Sequence, residues 1–235
     1  KTEEAIALFS AVIDSATQFT IAYNFRGLAH CEAGHFYEAI DDFSAAIAKR
    51  PDYALAYNNR GYVLLLIGGL EKAAVQDFSK AIELKPDFAK AYYNRGNALQ
   101  ELKRTDDALA SYNKAVSLQP GHVRARWAKA FAYLPGVATG TDDLDVLRNQ
   151  FQHALTEFDA WLSAHSPEDA YTAVGTRQPF YLAYQAPNNR ALLSQYGDLC
   201  RKMMAPWESR NQIHVTTASR PKIQIGLVSA YVHEH

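Results

Sequence analysis

Small, aromatic and helix-ending positions return in a fixed order along the first 134 residues. Arg-Gly pairs stand at Arg26-Gly27, Arg60-Gly61 and Arg95-Gly96, and the glycines are spaced by 34 and then 35 residues. Each glycine is followed in register by an alanine (Ala39, Ala74, Ala108), an aromatic (Phe43, Phe78, Tyr112), a second alanine (Ala46, Ala81, Ala115) and a proline (Pro51, Pro86, Pro120). A period near 34 residues carrying helical runs predicts stacked helix-turn-helix units. The extra residue of the second unit falls in LLLIGGLEKAA, where Gly68-Gly69 marks a turn. Projected backwards, the register puts Ala5 and Phe9 on the alanine and aromatic positions and Thr17 on the proline position, so the chain starts inside a second helix. After Pro120, VRARWAKAFAY repeats the first-helix pattern with Trp127 and Ala130 substituted, and Pro135-Gly136 ends it. The expectation is a half repeat, three full repeats and a divergent cap.

The pattern then changes. Val137 to Thr141 is small and polar, and Leu144, Leu147, Phe151, Leu155, Phe158 and Leu162 fall on one stripe of a long amphipathic helix, with Thr141, Asp142 and Asp143 suited to its start. Ser166-Pro167 predicts a short second helix with proline at its first position. A third runs from about Asn189 to Met203, with Leu192, Leu193, Tyr196, Leu199, Cys200 and Met203 on its apolar face. Beyond a polar linker, Ile223, Ile225 and Leu227 alternate as in a β-strand, and a lone strand needs a sheet, expected after His235.

The repeat resembles the tetratricopeptide repeat, in which paired helices stack into a right-handed superhelix with a concave groove. Sterics point the same way: the glycines and alanines permit close helix approach, the aromatic fills the gap towards the next unit, and proline stops the second helix. The expected fold class is all-α, a right-handed repeat superhelix followed by linking helices and one terminal strand that belongs to a missing lobe. The expected domains are repeats over 1–134, linking helices over 135–210, and a linker with the strand over 211–235.

In that register the first helices present Asn24, Phe25 and Leu28, then Asn58, Asn59 and Tyr62, then Tyr93, Asn94 and Asn97 to the groove. An asparagine both donates and accepts, so Asn59 and Asn94 could hold the main chain of an extended peptide; the alternative is that they are merely solvated. The groove lacks the basic residues that would clamp a C-terminal carboxylate, which disfavours a cochaperone role. Leu65 and Leu66 are candidates for a partner surface or a contact with a second copy of the chain. Arg26, Arg60 and Arg95 are expected to lay their stems on the helices and solvate their heads.

Charge adds exclusions. With 24 basic and 25 acidic residues the net charge is −1, which argues against nucleic acid as a partner. The longest apolar run, Val63 to Ile67, is too short to span a membrane. Cys31 and Cys200 match no metal spacing and suit a reducing, cytoplasmic compartment. His30, His35, His122, His153, His165 and His214 are scattered without ligand spacing, and no metal or cofactor is expected in the chain.

Repeats followed by QPFYLAYQ, RALLSQYGDLCRKMM and IQIGLVSAYVHEH resemble the bacterial relatives of the nucleocytoplasmic O-linked N-acetylglucosamine transferases. The resemblance implies a GT-B glycosyltransferase whose first Rossmann-like lobe, missing here, opens with that strand, with UDP-GlcNAc as donor substrate and serine or threonine hydroxyls of acceptor proteins as targets. It matches His235 to the family's histidine after the first strand, in the catalytic cleft, whereas His233 has no such match. The alternative is a scaffold that binds extended peptides without chemistry. Both ends look like cuts, and the chain is expected to lack the catalytic lobes.

Overall fold

A computed structural model of the chain describes residues 1–15, 19–134, 144–179, 182 and 188–211. Its helices are α1 (Thr2–Ser15), α2 (Thr20–Glu32), α3 (Phe36–Lys49), α4 (Ala54–Ile67), α5 (Glu71–Leu84), α6 (Ala89–Glu101), α7 (Thr105–Leu118), α8 (Val123–Phe131), α9 (Leu144–His165) and α10 (Arg190–Arg210), with a 3₁₀ turn at Ala170–Ala173. No strand occurs among the described residues. The expected strand at Ile223–Leu227, Thr17, the expected capping residues Thr141, Asp142 and Asp143, and His235 all lie outside them.

The chain divides into two compact units, the first ending at Pro120 and the second beginning at Gly121. In the first, α2 pairs with α3, α4 with α5 and α6 with α7, and successive pairs stack through α1·α2, α3·α4 and α5·α6. The first helices also touch one another, α2 with α4 and α4 with α6, and so lie side by side in one layer. The inserted residue sits where expected, in a turn at which Gly68 and Gly69 have φ of 77° and 74°, a left-handed backbone that β-carbons disfavour.

Close packing sets these pairs. A β-carbon on Gly27 would lie 2.8 Å from the Phe43 ring, on Gly61 2.9 Å from Phe78, and on Gly96 2.4 Å from Tyr112. The aromatic therefore fills a notch in the first helix of its own repeat and also packs towards the next one, Phe43 in one cluster with Val63 and Phe78 in one with Ala98. Ala39, Phe43, Ala46 and their counterparts in the other two repeats are completely buried.

The divergent cap falls within the second unit, which begins at Gly121. Trp127, at the position Tyr93 holds in the repeat before, puts an indole into a new core, 4.8 Å from Phe131, 5.2 Å from Phe158 and 5.8 Å from Tyr196 between ring centroids, while Ala130 stands in place of the notch glycine. α9 contributes Phe151, Leu155, Phe158 and Leu162 to that core, as its stripe predicts. Ser166-Pro167 leads only to the 3₁₀ turn, in place of the expected helix. α10 runs seven residues beyond the expected end at Met203, through Pro206 to Arg210. Of its expected apolar face, Leu192, Leu199 and Met203 are buried and Leu193 is exposed.

Candidate functional site

The first helices of the repeats carry the candidate residues, and the aromatic notch fixes which way each helix is turned. Asn24, Asn58, Asn59 and Asn94 come together in one buried relay. Asn94 Nδ2 donates to Asn58 Oδ1 at 3.0 Å, Asn58 Nδ2 to Asn59 Oδ1 at 3.3 Å, and Asn59 Nδ2 to Asn24 Oδ1 at 3.0 Å. Asn24 and Asn58 are 0% exposed, and Asn59 and Asn94 are 6% and 3% exposed. The expectation that these amides face a peptide therefore changes: they link α6 to α4 and α4 to α2 instead. The relay ends on Asn24, whose Nδ2 is buried without a hydrogen-bond partner among the described residues.

The remaining candidates lie nearer the surface. Tyr62 is exposed, and Tyr93 and Asn97 are half-buried. Tyr112 donates its hydroxyl to Asn97 Oδ1 at 2.9 Å, so the notch aromatic of the third repeat also holds a candidate side chain in place. Tyr93 packs against the Tyr112 ring at 6.3 Å.

Beside the relay runs an apolar row that the expected groove only partly contained. Ile21, Phe25 and Leu28 of α2 and Leu55, Tyr62 and Leu66 of α4 are all exposed. The spacings 21, 25, 28 and 55, 62, 66 place each set on one helix face. Phe25 is steadied from behind by stacking on Phe9 of α1 at 5.6 Å. On α6 the same register carries Lys90, Asn94, Asn97 and Glu101, so the row turns polar there. Ile21 and Leu55 were legible as the position six residues before each glycine. Leu65, expected beside Leu66, packs half-buried against Ala74, Phe78 and Ala98.

The recurring arginines are not solvated as expected. Arg26 forks onto Asp42 (Nε–Oδ2 2.8 Å, Nη2–Oδ1 2.6 Å) and also reaches Ser10 Oγ at 3.1 Å. Arg60 repeats this with Asp77, at 2.8 Å for both bonds, and Ser44 Oγ at 3.0 Å. The hydrogen bond to the aspartate leads the causes that push both guanidinium pKa values up. In the third repeat Ser111 replaces the aspartate, Arg95 Nε reaches its Oγ at 3.2 Å, and burial pulls that guanidinium down. These forks tie each first helix to its own second helix and to the second helix before it, behind the exposed row. The sequence signal was Asp-Phe at 42–43 and 77–78.

Among the described residues no group of three or more histidine, cysteine or acidic side chains could hold a metal ion, and no helix is long and apolar enough to cross a membrane. Burial pushes the Cys31 and Cys200 thiols up, which opposes their use as nucleophiles.

Models of the tetratricopeptide repeat match residues 26–87 and 89–122, and a TPR repeat model matches 72–103. No curated protein matches. Among solved structures, a crystal structure of MamA superposes with a TM-score of 0.61 at 21% identity, covering 70% of this chain and 91% of that one. MamA from Desulfovibrio magneticus RS-1, from its residue 41 onward, gives 0.57 at 22% identity over 68% and 86%. YrrB, described as a TPR protein with an unusual peptide-binding site, gives 0.55 at 20% identity over 70% and 80%. At these identities the likeness is one of fold. With the period, the glycine-aromatic notches and the helix pairing, it makes residues 26–122 a run of tetratricopeptide repeats.

Proposed function

We propose that the first-helix layer of the repeats binds a segment of a partner protein through the apolar row on α2 and α4. The observation that carries this is the exposure of six large apolar side chains in register, from Ile21 to Leu66, on helices whose polar neighbours are already bonded to one another. An aromatic and aliphatic surface on a rigid support suits capture of apolar side chains, and Tyr62, Tyr93 and Asn97 supply the polar contacts that set register. The buried asparagine relay acts by holding the helices in place.

The test is a peptide array probed with the chain and with Leu66→Lys and Phe25→Asp variants. Both side chains are exposed, so far-UV circular dichroism should be unchanged while binding of the selected peptides falls at least tenfold, roughly the loss of one well-packed anchor. Undiminished binding by both variants would sink the proposal.

A finer reading makes this layer the acceptor-recognition part of a protein O-glycosyltransferase that uses UDP-GlcNAc, with His235 in its cleft. It is supported by QPFYLAYQ and IQIGLVSAYVHEH in the sequence. Transfer of GlcNAc to cell proteins by the full natural gene product, lost on His235→Ala, is its test; absence of transfer would leave a binding scaffold.

A further inference from the structure

We propose that His30 and His35 form a two-nitrogen chelate for a divalent transition ion of the zinc class. The two stand at the corner between α2 and α3, in the run HCEAGH. Gly34 takes φ of 81°, its N–H donates to Cys31 O at 3.2 Å, and the His35 N–H donates to His30 O at 2.8 Å. That paired bonding around a left-handed glycine is the helix stop that brings the side chains five residues apart into contact. Here both are imidazoles, and their Nδ1 atoms face each other at 3.4 Å.

That separation fits one ion. Two nitrogens each 2.0–2.1 Å from a tetrahedral zinc lie about 3.3–3.4 Å apart. The second nitrogen of His30 supports the same choice, since Nε2 lies 3.9 Å from Asp42 Oδ2, a carboxylate fixed by the Arg26 fork. The His30 tautomer with its proton on Nε2, on the side of that carboxylate, leaves the Nδ1 lone pair for a metal. Without an ion, one Nδ1–H is shared between the rings. Binding moves that proton to the Nε2 of its own ring and turns the exposed His35 ring towards the ion, with no net proton released. Water completes the coordination, and the exposure of His35 leaves an open approach.

The fold does not demand the pair. The corner after α6 has the same bonding, Lys103 N–H to Gln100 O and Arg104 N–H to Leu99 O, both at 2.9 Å, and there the two positions hold Leu99 and Arg104. The imidazoles are a property of this repeat alone among the three.

The experiment titrates Zn²⁺ against a chromogenic zinc indicator, using the chain, His35→Ala and His35→Cys. The parent should take up one equivalent more than His35→Ala, or bind its first equivalent at least tenfold tighter. His35→Cys should restore uptake through a thiolate, and zinc should raise the thermal midpoint of the parent and of His35→Cys only. Because His35 is exposed, the alanine variant keeps its fold, which circular dichroism checks. Equal uptake and equal midpoints in parent and His35→Ala would place any bound zinc on other histidines and overturn the proposal.

Discussion

One residue separates the third repeat from the two before it. Arg26 and Arg60 each hold an aspartate placed three residues after the buried alanine, while Arg95, equally tucked in, faces Ser111. Burial costs the third guanidinium without the compensation the others receive. Ser111→Asp should restore the fork and stabilise the repeats by about 1 kcal/mol, a net figure for a partly buried bidentate pair after desolvation. That corresponds to a thermal midpoint higher by roughly 2–4 °C. Ser111→Asn, which supplies an oxygen without the charge, should gain less. A midpoint for Ser111→Asp no higher than that of the parent would mean that the serine is already an adequate partner. The same comparison shows what single residues disclosed. The glycine, alanine and aromatic positions were legible because steric exclusion acts at short range and repeats with the period. The aspartates recur at 42 and 77 but were not read as partners, because recurrence alone does not say which side chain on another helix each one faces, and Ser111 breaks the pattern in the third repeat.

Among the elements, α10 shows how far periodicity reaches and where it fails. Its apolar stripe was legible, but its end was not: a proline deprives the preceding turn of a hydrogen bond and ordinarily marks a stop, yet α10 continues through Pro206 to Arg210. Its buried flank sets an alkaline limit on stability. Burial, followed by the neighbouring Cys200, pushes the Tyr196 hydroxyl well up, and burial pushes the Cys200 thiol up from 9.0. An acid raised in the folded state ionises first in the unfolded chain, so its share of stability is complete below the ordinary thiol value and declines as pH rises through it. The second unit should therefore lose stability progressively above about pH 9, and Cys200→Ala should flatten the first part of that decline. Tryptophan-monitored denaturant midpoints between pH 7 and pH 11 measure this. Parallel declines in parent and variant would remove Cys200 from the account. The histidine corner was illegible for another reason: five-residue spacing matches no helical ligand pattern, and only the left-handed Gly34 brings the rings together.

For the whole molecule, the division at Pro120 and Gly121 has a direct spectroscopic consequence. All three tryptophans, Trp127, Trp161 and Trp207, belong to the second unit, while most of the helical residues lie in the first. Indole emission thus reports one unit, and far-UV circular dichroism is weighted towards the other. Removing a link of the asparagine relay separates them. Asn58→Ala leaves the buried amides of Asn59 and Asn94 each short of a partner, a loss of about 2 kcal/mol by the usual cost of orphaned buried polar groups. Because each repeat is stabilised by its neighbours, that loss should spread through the repeats instead of staying in α4. In urea, the circular dichroism midpoint of Asn58→Ala should fall while the tryptophan midpoint stays with that of the parent. Trp127→Ala, which empties the centre of the second core at a cost of about 3–5 kcal/mol, should do the reverse, with Trp161 and Trp207 still reporting. If both midpoints moved together in both variants, the two units would unfold as one cooperative body. If they move apart, the repeats can be altered on their exposed row without disturbing the helices that follow, which is the condition under which a binding layer can change partners while the rest of the chain keeps its structure.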